Sequence, residues 1–436
     1  MQNKNKLCLI TLISIAIILM TISIASAVPF AYITNAGSNN ISVINTATNK
    51  ITANVDVGDS PVGVAVTPDG SKVYVANSGS NNVSIINTTN NTAYVNVLVG
   101  SGPQGVAVTP DGLTVYVTNG DNNVSVIDTA TNTITAAVDV GSGPQGVAVT
   151  PDGSKVYVAN YFSNNVSVIN TATNTATATV NVDVGSHPYG VAVTPDGTKV
   201  YVSAVGFGRV YAINTSTNTL AGSPIMVGLQ PFGVAVTPDG SKVYIANAGS
   251  KTISVIDTAT NKITASVDVG LNPLGVAATP DGRKVYVANY VSNNVSVIDT
   301  ATEALDPTTP SITVGTHPYA FGRFIGPGSP APPTPTPTPI IIKKYNEEDN
   351  TGYRNDYRPT VAMTGAIPMY GSPMYCVPMY GPMDDPTYDY PMYGSESYGY
   401  GGDPYGLTET LNSESNGHKG KAYLSKHKHN KSRQKS

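Results

Sequence analysis

Carboxylates are the main side chains with acid-base or metal-binding chemistry between residues 28 and 325, where sixteen Asp and one Glu, Glu303, accompany eleven Lys and Arg. Catalysis and metal binding both need such groups to converge with one another or with histidine or cysteine. Six aspartates instead follow a proline in one recurring Thr-Pro-Asp-Gly motif: Asp69, Asp111, Asp152, Asp196, Asp239 and Asp281. Four more recur at another fixed position: Asp56, Asp139, Asp183 and Asp268. This recurrence predicts turns and solvent-facing strands.

His187 and His317 are the only histidines between residues 28 and 325, and that segment has no cysteine. Thiolate catalysis, cysteine-ligated metals and covalent haem attachment are therefore excluded there. We expect no catalytic residues, no metal site and no cofactor. The segment is mildly acidic within a chain of formal net charge -4, which argues against a nucleic-acid partner.

An internal repeat supplies the elements that would position any site. The Thr-Pro-Asp-Gly motif has its proline at 68, 110, 151, 195, 238 and 280, a period of 41 to 44 residues. That period suits a four-stranded propeller blade and exceeds an ankyrin or leucine-rich unit. In one unit, residues 62–67 and 72–77 form strands around the motif's turn, whose glycine supplies positive φ. Strands at 83–87 and up to Gly100 complete the blade.

The second strand of the unit occurs seven times, whereas the motif occurs six times. The chain therefore enters at a second strand, residues 31–35, and residues 318–325 resemble a lone first strand. Pairing of these segments would leave no open sheet edge. The predicted fold class is all-β: a seven-bladed β-propeller of four-stranded blades, closed by a C-terminal first strand that joins the N-terminal three. The unit at Tyr201 has Pro224 near its fourth strand, so an irregular blade is expected there.

Residues 116–119 read Tyr-Val-Thr-Asn, and variants of this stretch begin at Tyr32, Tyr74, Tyr157, Tyr244 and Tyr286. Over residues 28–325 the repeats resemble those of YVTN-family β-propellers in archaeal surface-layer proteins. The resemblance implies a propeller in or on the cell envelope of a methanogenic archaeon. It implies no defined activity.

One position departs from the repeat, immediately before the proline that opens each first strand. Its residues in chain order are Ser60, Gly102, Gly143, His187, Gln230, Asn272 and His317. Two residues later come the aromatic rings of Tyr189, Phe232 and Tyr319. We expect these loops near one mouth of the central channel, where polar groups beside aromatic rings would suit a small glycan or another polar ligand. Ordinary loop variation around a water-filled channel is the alternative.

Asn-x-Ser/Thr sequons mark candidate glycosylation sites. Five lie in the same turn, at Asn40, Asn82, Asn123, Asn165 and Asn294, and three lie elsewhere, at Asn87, Asn90 and Asn214. In the alternative interpretation, Asn suits the turn and Ser suits the following strand, so that repetition alone generates the motif.

Residues 1–27 have the pattern of a secretory signal peptide, with Lys4 and Lys6 before an apolar stretch and Ala-Ser-Ala at 25–27. Cleavage after Ala27 is predicted, and an uncleaved membrane anchor is the alternative. Without the signal, Cys376 is the single cysteine, so the mature chain cannot form an internal disulfide.

Three further segments follow residue 325. Residues 326–344 form a Pro/Thr-rich linker, and residues 345–410 form a Tyr/Met/Pro/Gly-rich low-complexity segment that is predicted to be disordered. Residues 411–436 form a basic His/Lys-rich tail, which is either solvated or in contact with anionic envelope polymer. Self-association through the tyrosine-rich segment, with Cys376 pairing between molecules, is a further hypothesis.

These features predict an exported, non-enzymatic protein at the cell surface or in a surface layer. The propeller would act as a structural or protein/glycan-binding module, with envelope or surface-layer proteins or glycans as partners. Contact with the membrane would come only through an uncleaved N-terminal segment. A secreted lactonase-like propeller hydrolase, with His187 and His317 at the channel mouth, is the alternative, because fold alone does not determine function.

Overall fold

The computed structural model describes residues 28–182 and 186–327, which form seven antiparallel sheets, numbered here as blades 1 to 7 in chain order. The predicted all-β, seven-bladed propeller is confirmed. The signal peptide and its cleavage after Ala27, Asp183, the low-complexity segment with Cys376, the basic tail and all but the first two residues of the linker lie outside the described residues.

Blades 1 to 4 contain β1 (Phe30–Asn35), β2 (Asn40–Asn45) and β3 (Lys50–Asp56); β4 (Pro61–Val66), β5 (Lys72–Asn77), β6 (Asn82–Asn87) and β7 (Thr92–Leu98); β8 (Val106–Val108), β9 (Thr114–Asn119), β10 (Asn123–Asp128) and β11 (Thr133–Asp139); and β12 (Pro144–Val149), β13 (Lys155–Asn160), β14 (Asn165–Asn170) and β15 (Thr175–Asn181). Within each blade the order runs from an inner strand at the channel to an outer strand.

Blades 5 to 7 contain β16 (Pro188–Val193), β17 (Lys199–Ala204), β18 (Arg209–Asn214), β19 (Thr219–Leu220) and β20 (Ile225–Met226); β21 (Pro231–Val236), β22 (Lys242–Asn247), β23 (Thr252–Asp257) and β24 (Lys262–Asp268); and β25 (Pro273–Ala278), β26 (Lys284–Asn289), β27 (Asn294–Asp299), β28 (Ala304–Leu305) and β29 (Ser311–Thr313). The short strand β30 (Ile325–Gly326) completes blade 1.

Blade 5 is irregular, as predicted, because its outer strand is split into β19 and β20 around Pro224. The outer strand of blade 7 is split in the same way around Pro307 and Pro310, which the sequence interpretation did not anticipate. Proline has no backbone N–H and cannot donate a hydrogen bond to the neighbouring strand. The outer strands of blades 5 and 7 are therefore interrupted at these prolines. Among the described residues the single helix is a three-residue 3₁₀ turn, and this helix is too short to cross a membrane.

The second strand of each blade is buried on both faces. In β5, the side chains of Val73, Tyr74, Val75 and Ala76 are fully buried between neighbouring blades. In these strands β-branched residues alternate with small or aromatic residues, so that both faces of the strand can pack against neighbouring blades. Full burial of one such valine contributes about 1.5 to 3 kcal/mol relative to leaving it exposed. The ring is therefore stabilised mainly by contacts between blades.

The buried tyrosines also join neighbouring blades by hydrogen bonds. The Tyr157 hydroxyl donates to Asn218 Oδ1 at 2.7 Å, which links blade 4 to blade 5. The Tyr286 hydroxyl donates to Asn49 Oδ1, which links blade 7 to blade 1 across the ring junction. In blade 7, Glu303 replaces this asparagine and pairs with Lys242 instead. The one glutamate of the propeller is thus a structural ion-pair partner.

The motif turns use their aspartates structurally, as predicted. In blade 4, Thr150 Oγ1 donates to Asp152 Oδ1 at 2.5 Å, and the backbone amide of Ser154 donates to the same oxygen at 3.0 Å. These hydrogen bonds lower the pKa of Asp152, the one from Thr150 most of all. Gly153 ends the turn at a φ of 73°. A carboxylate occupied in this way acts as a turn-forming acceptor.

Ring closure is confirmed, but the closing segment, residues 318–326, is not a regular first strand. Pro318 pairs with Asn35 and Ile325 pairs with Ala31, so the eight residues 318–325 lie opposite the five residues 31–35 of β1, an excess of three residues. The regular strand β4 inserts only one extra residue against β5. The closing segment therefore carries two further residues, and its middle bulges away from β1.

Backbone hydrogen bonds attach this bulge to blade 2. The amide of Phe321 donates to the Val62 carbonyl at 3.1 Å, and the amides of Val64 and Val66 donate to the carbonyls of Phe321 and Arg323 at 2.9 and 3.2 Å. Ala320 and Gly322 permit the bend with φ values of 47° and 118°. The chain end is thus bonded to two blades at once.

Candidate ligand site in the central channel

The inner strands enclose a central channel of about 540 Å³. Its wall consists of valines and alanines from successive blades, together with the prolines of all six Thr-Pro-Asp-Gly turns. These prolines are exposed and mark one opening, named here the proline end. The residues that open the inner strands lie toward the other opening.

A ring of glycines sets the width of the channel. Each regular inner strand has glycine at its third position, and a Cβ on Gly63 would overlap the carbonyl oxygen of Gln104 on the next blade. The same overlap would occur between Gly233 and Leu274, and it recurs at the equivalent glycines of the other regular blades. Neighbouring inner strands therefore approach more closely than any side chain at this position would allow.

The second opening, named here the aromatic end, is spanned by two tyrosines. The hydroxyls of Tyr189 and Tyr319 are 2.6 Å apart. Tyr189 belongs to blade 5 and Tyr319 to the closing segment of blade 1, which lie three blades apart in a ring of seven. Phe232 and Phe321 pack edge-on against Tyr189, with ring centroids 4.6 and 5.2 Å away. Burial raises the pKa of both tyrosines, so both remain neutral hydrogen-bonding groups.

Two tyrosine-histidine pairs flank this cluster. Tyr161 stacks on His187 with ring centroids 4.5 Å apart, and Tyr290 stacks on His317 at 4.6 Å. Each pair bridges two blades, because the histidine opens the blade after the one that carries the tyrosine. His187 Nδ1 also lies 3.2 Å from the carbonyl oxygen of Tyr161. The sequence singled out the histidines but not their tyrosine partners.

The backbone conformation is unusual at the position immediately before each inner strand. All seven residues there have positive φ: Ser60, Gly102, Gly143, His187, Gln230, Asn272 and His317. The structure gathers Tyr189, Phe232 and Tyr319 into one cluster, with His187 and His317 at its sides. Gln230 and Asn272 lie in equivalent loops, where their carbonyls accept the amides of Ala248 and Tyr290, and neither side chain joins the cluster within the described part of the chain.

Exposed apolar side chains surround the aromatic end on blades 4 to 7. We name this set the apolar rim: Phe162, Phe207, Leu229, Leu271 and Val291. Phe162 is 68% exposed and Leu229 67%. Equivalent loop positions in blades 2 and 3 are occupied by Asp59, Gly79 and Ser101. An exposed apolar set confined to one side of a face is typical of an interaction surface.

Arg323 is the channel residue that sequence interpretation missed. It follows Phe321 and Gly322 on the bulge and contributes to the channel wall, where its side chain keeps access to channel water. The surrounding protein partly desolvates the guanidinium and lowers its pKa. The available signal was the closing segment itself, which reads Pro-Tyr-Ala-Phe-Gly-Arg-Phe where the regular strands read Pro-x-Gly-Val-Ala.

The five sequons of the repeat are part of a buried hydrogen-bond ladder. The Asn77 amide donates to Asn82 Oδ1 at 2.7 Å and to the fully buried Ser84 Oγ at 2.8 Å. Equivalent bonds reach Asn40, Asn123, Asn165 and Asn294. The other three sequon asparagines, Asn87, Asn90 and Asn214, accept backbone amides two residues ahead. All eight have structural roles, and their glycosylation stays a prediction.

Comparisons with known proteins agree on the fold. Residues 72–188 match the family model described as the cytochrome D1 heme domain. Hydrazine synthase of Kuenenia stuttgartiensis is 27% identical with a TM-score of 0.57, covering 62% of this chain and 92% of that one. A protein of unknown function from Desulfotomaculum acetoxidans is 19% identical, with a TM-score of 0.58 and coverages of 69% and 99%.

A third similar structure, from Bacteroides fragilis, is a protein provisionally named a 6-phosphogluconolactonase. It is 17% identical with a TM-score of 0.59, covering 68% of this chain and 98% of that one. At this identity the likeness shows the propeller fold alone. No curated protein sequence matches the chain.

The channel does not fit the haem that the matched family model names. Haem iron is held by histidine, cysteine, methionine or tyrosine, and none of these lines the channel among the described residues. His187 and His317 lie at the aromatic end with their rings stacked on tyrosines. Within the same residues no three His, Cys, Asp or Glu side chains form a group that could hold a metal ion.

Proposed function

We propose that this chain is an exported, non-enzymatic cell-surface protein whose propeller binds envelope glycan at the aromatic end. The observation that carries the proposal is the apolar rim beside the two tyrosine-histidine stacks. Sugars present flat apolar faces and polar hydroxyls, so they suit exposed aromatic rings with hydrogen-bonding groups beside them. Phe162 provides such a ring, and its edge-on contact with Tyr161, centroids 5.1 Å apart, places it next to His187.

Export and surface location rest on the sequence of residues 1–27 and on the resemblance to surface-layer propellers. Envelope proteins or glycans are the proposed partners, and the segments after residue 327 would connect the ring to the envelope. Mass spectrometry of separated envelope, medium and cytoplasmic fractions tests this part. An envelope-bound chain beginning at Val28 is the expected result, whereas a chain found only in the cytoplasm would overturn it.

Binding of envelope polysaccharide to the purified full chain tests the glycan site. We expect Phe162→Ser to weaken binding about tenfold, because loss of one well-packed aromatic contact costs about 1.4 kcal/mol. Leu113→Ser is the matched control. Leu113 is 59% exposed, but it lies beside a Pro-Asp-Gly turn at the proline end. Equal binding by both variants and the unmodified chain would contradict a glycan site at the apolar rim.

A lactonase-like hydrolase remains the alternative proposal. It would need His187 or His317 as a general base, and each ring is already packed face to face on a tyrosine. Lactone hydrolysis by the purified chain, lost in a His187→Ala and His317→Ala double variant, would favour this alternative over the binding module.

A further inference from the structure

One charged side chain lines the central channel. Arg323 shares the wall with valines, alanines, glycines and prolines, and Thr237 is the only other residue there with a polar side chain among the described residues. Within residues 28–182 and 186–327, no carboxylate forms an ion pair with Arg323. Arg323 keeps solvent access, but the surrounding protein partly desolvates its guanidinium, so an anion in the channel would gain charge-assisted hydrogen bonds with less screening than on an open surface.

The channel also restricts the kind of anion. A single guanidinium balances one negative charge, and its fork of donors matches the two oxygens of a carboxylate. A phosphate dianion would leave a second charge next to an aliphatic wall. The wall itself favours a ligand with an apolar body, because apolar surface leaves water there. We propose that the central channel is a binding site for a small organic monocarboxylate with an apolar body, held by Arg323.

The closing segment fixes Arg323 in this position. The Arg323 carbonyl accepts the Val66 amide at 3.2 Å, so the residue is bonded to the inner strand of blade 2. Gly322, with a φ of 118°, stands close to the carbonyl oxygens of Val64 and Val106, at 2.7 and 3.3 Å from where a Cβ would be. Gly322 and Arg323 both line the channel, and the backbone hydrogen bonds of the closing segment hold them there.

A ligand would enter from the proline end, because the hydrogen bond between Tyr189 and Tyr319 spans the other opening. The motif aspartates follow the prolines of that end, and their charges could repel an anion. Five of the six turns also carry a lysine three residues after the aspartate, at Lys72, Lys155, Lys199, Lys242 and Lys284. Lys242 and Lys284 also pair with Glu303 and Asp306, so the lysines balance the aspartates of this opening only in part, and Arg323 supplies the positive charge on the channel wall itself.

Calorimetric titration of the full chain with octanoate tests the site. Octan-1-ol serves as the uncharged probe of similar shape, acetate as the carboxylate without an apolar body, and inorganic phosphate as the other anion. We expect octanoate to bind more tightly than each of these three. Arg323→Met should weaken octanoate binding roughly 10- to 100-fold, as expected for loss of hydrogen bonds to a charged group. Arg323→Lys keeps the charge but loses the forked donors of the guanidinium. Its affinity for octanoate should therefore lie between those of the unmodified chain and Arg323→Met.

Arg283→Met is the matched control. It removes the same charge from a side chain that is 85% exposed beside Asp281, outside the channel wall. We expect octanoate affinity to stay within about twofold of the unmodified chain. Thermal unfolding followed by circular dichroism shows whether each variant keeps the fold. We expect the Arg323 variants to keep it, because they alter the side chain and none of its backbone hydrogen bonds.

Three results would overturn the proposal: no octanoate binding, octan-1-ol binding as tight as octanoate, or equal losses in Arg323→Met and Arg283→Met. Tighter binding of phosphate than of octanoate would replace it with a phosphate site. The outcome is independent of the glycan proposal, because Phe162 lies on the apolar rim and Arg323 lies inside the channel. A Phe162→Ser variant should therefore bind octanoate normally.

Discussion

The six regular inner strands and the closing segment perform the same task in the ring with different backbones. In the regular strands, glycine at the third position lets neighbouring blades approach, and valine and alanine then form a uniform wall. The closing segment has Ala320 at that position and bulges inward. Repetition thus builds the channel, whereas the departure from repetition supplies its only charge among the described residues. A search for sites in repeat proteins should begin where the repeat is broken.

Exchanging the third residue between the two kinds of strand should have the largest effect. Gly233→Ala forces a Cβ against the Leu274 carbonyl, so we expect a loss of about 3 kcal/mol in the free energy of unfolding. Ala320→Gly removes a side chain from a left-handed conformation and should stay within about 1 kcal/mol of the unmodified chain. Urea unfolding of both variants measures the difference. If both variants lose a similar free energy of unfolding, the third position does not distinguish the regular inner strands from the closing segment.

The hydrogen bond across the ring junction offers a second comparison. Tyr286→Phe removes the donor to Asn49 and should cost about 1 to 2 kcal/mol, because the buried Asn49 oxygen loses its partner. Tyr244 is equally buried, but its hydroxyl has no acceptor among the described residues. Tyr244→Phe should therefore be neutral or slightly stabilising. Equal losses in the free energy of unfolding of Tyr286→Phe and Tyr244→Phe, measured with urea, would show that the hydrogen bond across the ring junction does not stabilise the fold.

The smallest effect concerns pH and an aspartate in the split outer strand of blade 7. Burial raises the pKa of Asp306, but hydrogen bonds from Thr308 and Lys284 outweigh it and hold the pKa well below 3.8. A depressed pKa in the folded state stabilises the fold above the unfolded pKa of about 3.9, and this contribution is lost as pH falls below it.

We therefore expect the unfolding temperature to fall between about pH 4 and pH 2, and to fall less in Asp306→Asn. Asp139→Asn, at an exposed outer-strand position of a regular blade, is the control. If Asp139→Asn flattens the pH dependence as much as Asp306→Asn, the contribution does not come from the buried carboxylate.

The repeated parts of the fold could be predicted from local chemistry. Seven tyrosine-containing strands gave the blade number, and the turn role of Asp152 followed from its proline and glycine neighbours. Pro224 correctly indicated a broken outer strand. These features depend on residues close in the chain, whose periodicity is visible in the sequence.

The site could be predicted only in part. Tyr189, Phe232 and Tyr319 stood out because they vary at one position of the repeat. Arg323 did not, because its place in the channel depends on hydrogen bonds between residues 321–323 and β4, more than 250 residues earlier. The two-residue insertion occurs once, in the closing segment, and so is not part of the repeat. The neighbouring residues in the sequence therefore do not indicate the direction in which the segment bulges.

The double attachment of the closing segment also has a mechanical meaning. A tether that continues beyond Gly326 would transmit tension first to β30 and then to the bonds that Phe321 and Arg323 make with blade 2. The load is shared between two blades rather than concentrated on one seam, and opening the ring by traction requires both sets of bonds to fail. If the segments after residue 327 attach the propeller to a surface as proposed, the ring would be protected at the point where they pull.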